Sequence, residues 1–192
     1  MKKDIILAGV GGQGILSIAT VIGEAATHAG LELKQAEVHG MSQRGGDVQS
    51  NLRLSTEPIH SDLIPRGQVD LIIAMEPMEA LRYLPYLRPD GCIVTSSEPF
   101  INIPNYPEPA RLEQALQTLP RVSSLAIEAL AKKLLMPRSA NMILLGMAAP
   151  YLEILSPDDL REAISRVFAA KGEQVVGKNQ QAFDLGLNSI NK

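Results

Sequence analysis

The sequence predicts an α/β protein, a three-layer, Rossmann-like and mainly parallel sheet with a helical C-terminal third. Three observations carry that expectation. The apolar, β-branched runs at residues 4–10 and 69–75 read as strands buried on both faces. Segments with apolar residues at three- and four-residue spacing alternate with such runs, as strand–helix units require. A glycine-rich stretch, residues 9–14, stands where the first strand passes into the first helix. With 192 residues, 45% of them apolar, the chain suffices for one domain with a proper core, and residues 1–192 are read as that single domain.

Each element follows from local pattern. After the strand at 4–10, Ile15, Leu16, Ala19, Ile22 and Ala26 mark a helix over 15–29, stopped by Gly30. Residues 31–38 form a second strand, which makes a βαβ unit with a right-handed crossover if the two strands are parallel. Residues 39–46 are too polar and too rich in glycine for a core element and read as a loop. Val48, Ser50, Leu52 and Leu54 alternate along a half-buried strand at 47–54, and Glu57-Pro58 turns it toward a short partner near Ile59 and His60. The strand at 69–75 leads into a helix that begins at Pro77 and runs through Leu87, shortened or bent by Pro85. Residues 88–91 (Arg-Pro-Asp-Gly) read as a turn, and 92–96 as a strand. The four prolines between 99 and 109 mark an extended surface loop. A helix at 110–118, an edge strand at 122–125 and helices at 127–135, 140–152, 157–170 and 173–187 complete the chain. Ser156, Pro157 and Asp159 give the penultimate helix a well-formed start.

Composition removes several function classes. The net charge is −3, with no block of Lys or Arg, which argues against a nucleic-acid surface. No apolar stretch approaches the roughly 20 residues of a membrane span, and no signal segment is recognisable, so a cytoplasmic location is expected. One cysteine forms no internal disulfide and falls short of the about four thiolates that an iron–sulfur cluster needs. His28 reads as solvated, His60 has no ligand at metal spacing, Cys92 reads as a small core residue, and Asn141 as a helix cap.

Two loops carry chemistry. Gly9-Val10-Gly11-Gly12-Gln13-Gly14 fits G-x-G-x-x-G in its required context. Glycines permit positive φ and close approach, and the free amides at a helix start attract an anion. The functional reading is a diphosphate or carboxylate site, and the alternative is a tight strand-to-helix turn kept small for packing. A dinucleotide site also needs an acid about 20 residues further on, and Glu37 is at roughly that place. The second loop, His39-Gly40-Met41-Ser42-Gln43-Arg44-Gly45-Gly46, gathers donors of several kinds at the carboxyl end of a strand, where open α/β sheets hold ligands. Arg44 suits a carboxylate or phosphate. A polar surface loop that needs glycines for its turns accounts for the same residues.

With GVGGQG near the start and EVHGMSQRGG some twenty-five residues on, the sequence resembles the gamma-type subunits of 2-oxoacid:ferredoxin oxidoreductases. Within that family it is most similar to the small, beta subunits of indolepyruvate oxidoreductases. The likeness extends through VDLIIAMEPMEALRYLPYL to the helix containing Asn141-Met142-Ile143-Leu144-Leu145-Gly146. It implies one subunit of a complex that oxidatively decarboxylates a 2-oxoacid, here an aryl pyruvate such as indolepyruvate. It further implies that thiamine diphosphate and iron–sulfur clusters reside on a large alpha subunit, that ferredoxin takes the electrons, and that coenzyme A takes the acyl group. By the same resemblance, Gly9, Gly11, Gly12, Gln13 and Gly14, with His39, Ser42, Gln43, Arg44, Gly45 and Gly46, contribute to a site at the subunit interface, toward the coenzyme A or diphosphate end. No residue here is assigned to catalysis or to a metal. A homodimer is a possible state of the isolated subunit. A stand-alone NAD(P)-binding protein, a small reductase or redox sensor, is the alternative that the first loop and Glu37 support.

Overall fold

The computed structural model describes residues 1–39, the last by its backbone, and 45–190. Its apolar runs assemble into one six-stranded sheet of order β2-β3-β1-β4-β5-β6. β1 (Lys2–Val10) lies parallel to β4 (Val69–Ala74), which is followed by β5 (Leu87–Ser96) and β6 (Val122–Leu125), each parallel to its neighbour. On the other side, β3 (Asp47–Ser55) runs antiparallel both to β1 and to β2 (Glu32–His39). Five strands therefore point one way, and β3 alone is reversed among the described residues.

The strands alternate between two cores. Ile5, Leu7, Leu71 and Ile73 pack with α1 (Ile15–His28) and the C-terminal helices, while Ile6, Ala8, Ile72 and Ala74 pack with Ala80 and Tyr83 on the opposite face. All eight of these strand residues are fully buried. A period-two alternation in which both sets are apolar is the signature of a sheet covered on both sides. The three-layer expectation is thus met.

Four local expectations are corrected. The βαβ unit is not a pair of neighbours, because β3 inserts between β1 and β2 and pairs along its length with both. No strand forms near Ile59 and His60; the Arg53 guanidinium instead ties that segment to the sheet through the carbonyls of Ser61 and Leu63 (3.0 and 3.1 Å). Residues 88–91 are not a turn but the irregular start of β5, with a register shift opposite Val69 and Leu71. Pro89 is tolerated there because pairing is already interrupted. The helix at Pro77 (α2, Pro77–Arg82) stops before Pro85, a 3₁₀ turn covers Leu84–Tyr86, and Leu87 belongs to β5.

After α3 (Pro109–Gln117) and α4 (Ile127–Lys133), the chain forms α5 (Ala140–Leu152), α6 (Pro157–Phe168) and α7 (Glu173–Ile190). α5 is apolar all round because it lies between the sheet and α7. Gly146 and Gly186 let the two backbones meet. A β-carbon on Gly146 would stand 1.9 Å from the Phe183 carbonyl oxygen, and one on Gly186 the same distance from that of Ile143. Among the described residues no helix is long and apolar enough to cross a membrane.

This topology fixes where a ligand can bind. The chain leaves β1 toward the face of α1 and leaves β4 toward the face of α2. The carboxyl ends of β1 and β4 therefore form a topological switch point, the crevice that open α/β sheets use for binding.

Candidate functional site

The first glycine loop sits in that crevice. Gly14 caps α1 in the left-handed conformation (φ +79°) with no side chain on the helix amides, and Gly12 has φ +105°. No side chain caps the start of α1; the Ser17 amide donates to the Gly14 carbonyl (3.1 Å), which leaves the amides of Ile15 and Leu16 as the ones an anion could take. Gly9 has a different reason to be small. A β-carbon there would lie 3.2 Å from Gln13 Oε1 and 3.3 Å from Met75 Cβ. Gln13 braces the turn, since the Val10 amide donates to its Oε1 (2.8 Å) and its Nε2 donates to the Met75 carbonyl (3.4 Å). Both ends of this carboxamide hold β1 to β4.

The second loop meets the first. The Gly11 amide donates to the Gly46 carbonyl (2.8 Å), and the Gly45 amide to the Gly11 carbonyl (3.3 Å). Asn102 Nδ2 donates to the Gly45 carbonyl at 2.6 Å, which fastens the proline-rich loop to the same point. His39 closes β2; its side chain and the residues Ser42, Gln43 and Arg44 lie outside the described residues.

Above the glycine turn opens a cleft of about 1110 Å³. Gly11 to Gly14 form its base, Pro99 and Phe100 one wall, and the segment from Leu135 to Asn141 the other. Four cationic residues, Lys132, Arg138, Lys171 and Lys178, border it. Among the described residues Arg138 and Lys178 make no ion pair, and the Lys171 ammonium stands 5.2 Å from the Phe168 ring centre. Of the two acids on the cleft, Glu98 is occupied in capping α4, accepting the amides of Glu128 (2.6 Å) and Ala129 (3.1 Å). Burial, and then the Glu98 carboxylate, hold the Glu128 carboxyl above its usual range. A groove with helix amides at its base and four cations around it, in a chain of net charge −3, favours an anionic ligand of nucleotide size.

Sequence reasoning missed three parts of this arrangement. The four cations come from separated segments, and each alone reads as a solvated side chain. Asn141 does not cap α5; its Nδ2 donates to the Gly14 carbonyl (3.0 Å), binding α5 to the start of α1. Glu76 is fully buried and holds two segments together. Its carboxylate accepts the Glu79 amide at the start of α2 (2.9 Å), the Phe100 amide (3.4 Å) and the Tyr106 hydroxyl. Burial and this bond raise the Tyr106 hydroxyl far above its ordinary pKa.

Glu37 is poorly placed for a dinucleotide. In such sites the acid ends the strand beside β1, whereas β3 stands between β1 and β2 here, about one strand spacing (~4.8 Å) too far. Gln35 Nε2 donates to its carboxylate at 2.5 Å. Cys92 is 8% exposed in the core, and His28 and His60 are exposed. Among the described residues no three His, Cys, Asp or Glu side chains gather as a metal would require.

Comparison with known proteins places this geometry in context. The family model described as pyruvate ferredoxin/flavodoxin oxidoreductase matches residues 4–189. The chain is 33% identical to an indolepyruvate oxidoreductase subunit, IorB, of Archaeoglobus fulgidus, across 98% of this chain and 95% of that protein. It superposes on the 2-oxoglutarate:ferredoxin oxidoreductase of Magnetococcus marinus, whose structure holds 2-oxoglutarate, coenzyme A and succinyl-CoA. The TM-score is 0.75 at 25% identity, over 99% of this chain and 31% of the longer one. The keto/oxoacid ferredoxin oxidoreductase gamma subunit of Geobacter sulfurreducens shares the fold, with TM-score 0.70 at 23% identity over 98% of both chains.

Proposed function

The chain belongs to the pyruvate ferredoxin/flavodoxin oxidoreductase family, and from that premise we propose that it is the small subunit of a 2-oxoacid:ferredoxin oxidoreductase acting on an aryl pyruvate such as indolepyruvate. In the complete reaction the 2-oxoacid loses its carboxylate as carbon dioxide. Two electrons pass to ferredoxin, and the acyl group passes to the thiol of coenzyme A, which releases its proton. Thiamine diphosphate would supply the carbanion chemistry and iron–sulfur clusters the electron path, both on a large alpha subunit.

The residues present do not suit an iron–sulfur cluster on this chain. Its one thiol, Cys92, is enclosed in β5, and a cluster needs about four. What the chain offers is a basic cleft, and the observation that carries the reading is the start of α1, free of any side-chain cap, at its base. Coenzyme A fits that chemistry. Its diphosphate would face the amides after Gly14, and its remaining phosphate the surrounding cations. Gly11, Gly12 and Gly14 would line the ligand, with Gln13 and Gly9 shaping the turn and Gly45 and Gly46 fixing its position. His39, Ser42, Gln43 and Arg44 would complete the site from the second loop. The displaced Glu37 speaks against the alternative of a stand-alone NAD(P)-binding protein.

Reconstitution tests the reading. The purified chain, given indolepyruvate, coenzyme A and ferredoxin, should reduce no ferredoxin alone. It should restore coenzyme A-dependent reduction to the large subunit. Turnover by the lone chain, or full turnover by the large subunit without it, would contradict the proposal.

A further inference from the structure

Buried polar side chains fall into two groups in this molecule. Thirteen are buried among the described residues, and ten of them lie away from the cleft. Every one of the ten is bonded through its side chain, as Asp4 is to Arg53, Asn51 to the Ile64 amide and Ser96 to the Glu98 amide. The other three, Ser139 (5% exposed), Asn141 (8%) and Asn179 (5%), all line the cleft. In each of them the side-chain oxygen has no partner among the described residues. None of these oxygens is sealed, since Asn102 Oδ1 is the one enclosed side-chain atom there without a partner. Oxygens held at such buried positions, unpaired within the chain, stand ready for a partner that enters the cleft.

The two carboxamides are also fixed in orientation. Asn141 faces the Gly14 carbonyl (3.0 Å), and Asn179 faces the Val175 carbonyl one helical turn back (2.9 Å). A carbonyl only accepts, so the amide nitrogen stands at each of these contacts and the oxygen at the other end of the group. Asn141 and Asn179 therefore present acceptors. Acceptors repel phosphate oxygens, which the four cations and the amides of α1 already serve. The cleft thus combines two chemistries. Donors and positive charge suit the anionic part of a ligand, while fixed acceptors and one hydroxyl suit a part that is neutral and carries N–H groups.

We propose that Ser139, Asn141 and Asn179 form a subsite that recognises a neutral N–H donor on the ligand, apart from the groups that hold its phosphates. The inference rests on the function proposed above and specifies how that ligand is told from other phosphate-bearing molecules. Coenzyme A carries such donors in two places, the exocyclic amino group of adenine and the secondary amides of the pantetheine arm. A site built on a buried acceptor rejects an analogue that offers it an oxygen, because two acceptors are then left facing one another.

Competition binding to the assembled complex tests this with two analogues of coenzyme A. One carries hypoxanthine for adenine, so that an oxygen replaces the amino group; in the other, ester oxygens replace the amide nitrogens. The variants are Ser139→Ala and Asn179→Leu, which remove the hydroxyl and one acceptor without altering charge. The wild-type complex should bind at least one analogue tenfold or more weakly than coenzyme A, and which one it is identifies the donor. Each variant should bind coenzyme A more weakly and narrow that discrimination at least threefold. The effect should persist at about 1 M salt, where the contribution of the cations is screened. A wild-type complex that binds both analogues as it binds coenzyme A would overturn the proposal, even where a variant fails to fold. Discrimination kept at its wild-type value in one variant would strike that residue from the subsite, and in both would overturn the proposal, since a loss of affinity common to all three ligands marks a merely structural role. A wild-type complex that binds no coenzyme A would overturn the functional reading beneath it, and this inference with it.

Discussion

Asn141 donates its side-chain amide to the carbonyl of Gly14 over 3.0 Å, joining the start of α5 to the cap of α1. A β-carbon on Gly14 would stand 2.8 Å from that same nitrogen. With φ +79°, Gly14 is constrained twice, by backbone conformation and by its neighbour. Gly14→Ala should therefore destabilise the chain by about 1–2 kcal/mol from the left-handed backbone alone. Urea unfolding measures it. Gly12→Ala shares the positive φ but meets nothing within 4 Å, so it should be the milder change.

The α5–α7 crossing sets a sharper requirement. At Gly146 the obstacle is backbone, with the Phe183 carbonyl oxygen 1.9 Å from the place an added methyl group would take, so no rotamer relieves it. Gly146→Ala should cost roughly 3 kcal/mol or more, at the upper end of overpacking, or give insoluble protein. Gly177→Ala in α7, with open space around it, should stabilise by about 0.5–1 kcal/mol. Thermal melts of the two variants should shift in opposite directions.

Charge around the cleft should govern ligand affinity. Arg138→Glu together with Lys178→Glu should weaken coenzyme A binding about tenfold at low salt, equal to about 1.4 kcal/mol. The difference should shrink as ionic strength approaches 1 M, where the screening length is about 3 Å. Titration calorimetry on the assembled complex at two salt concentrations checks both parts.

The cap of α6 gives a pH dependence. Ser156 Oγ accepts the Asp159 amide (3.1 Å), while the Asp159 carboxylate accepts the Ser156 hydroxyl (2.7 Å) and amide (2.8 Å). These bonds hold the Asp159 carboxyl below its ordinary 3.8. A depressed acid contributes stability that is present above its unfolded value and is lost as pH falls through the folded one. Ser156→Ala should cost about 1 kcal/mol at pH 7. The gap to wild type should narrow below about pH 4, and denaturant titrations across pH 2–7 would reveal it.

Much of the fold was legible because its strands are apolar and β-branched and its helices amphipathic. The position of β3 was not, because the alternation of Val48, Ser50, Leu52 and Leu54 reveals a face but names no neighbour. Arg88-Pro89-Asp90-Gly91 carries turn chemistry, yet pairing opposite Val69 draws it into β5. The glycine turn was visible as a local motif. Its surroundings were not: Glu76 reads as a solvated acid until Tyr106, 30 residues later, folds against it. Lys132, Arg138, Lys171 and Lys178 become one feature only when α4, α5 and α7 are packed.

Coenzyme A kinetics of the assembled complex with Gly14→Ala in the small subunit bear most directly on the idea that this chain holds the acyl acceptor for chemistry performed elsewhere. The KM for coenzyme A should rise at least tenfold, with the KM for the 2-oxoacid and the amount of bound large subunit unchanged. An unaltered coenzyme A KM, or a rise confined to the 2-oxoacid, would contradict it.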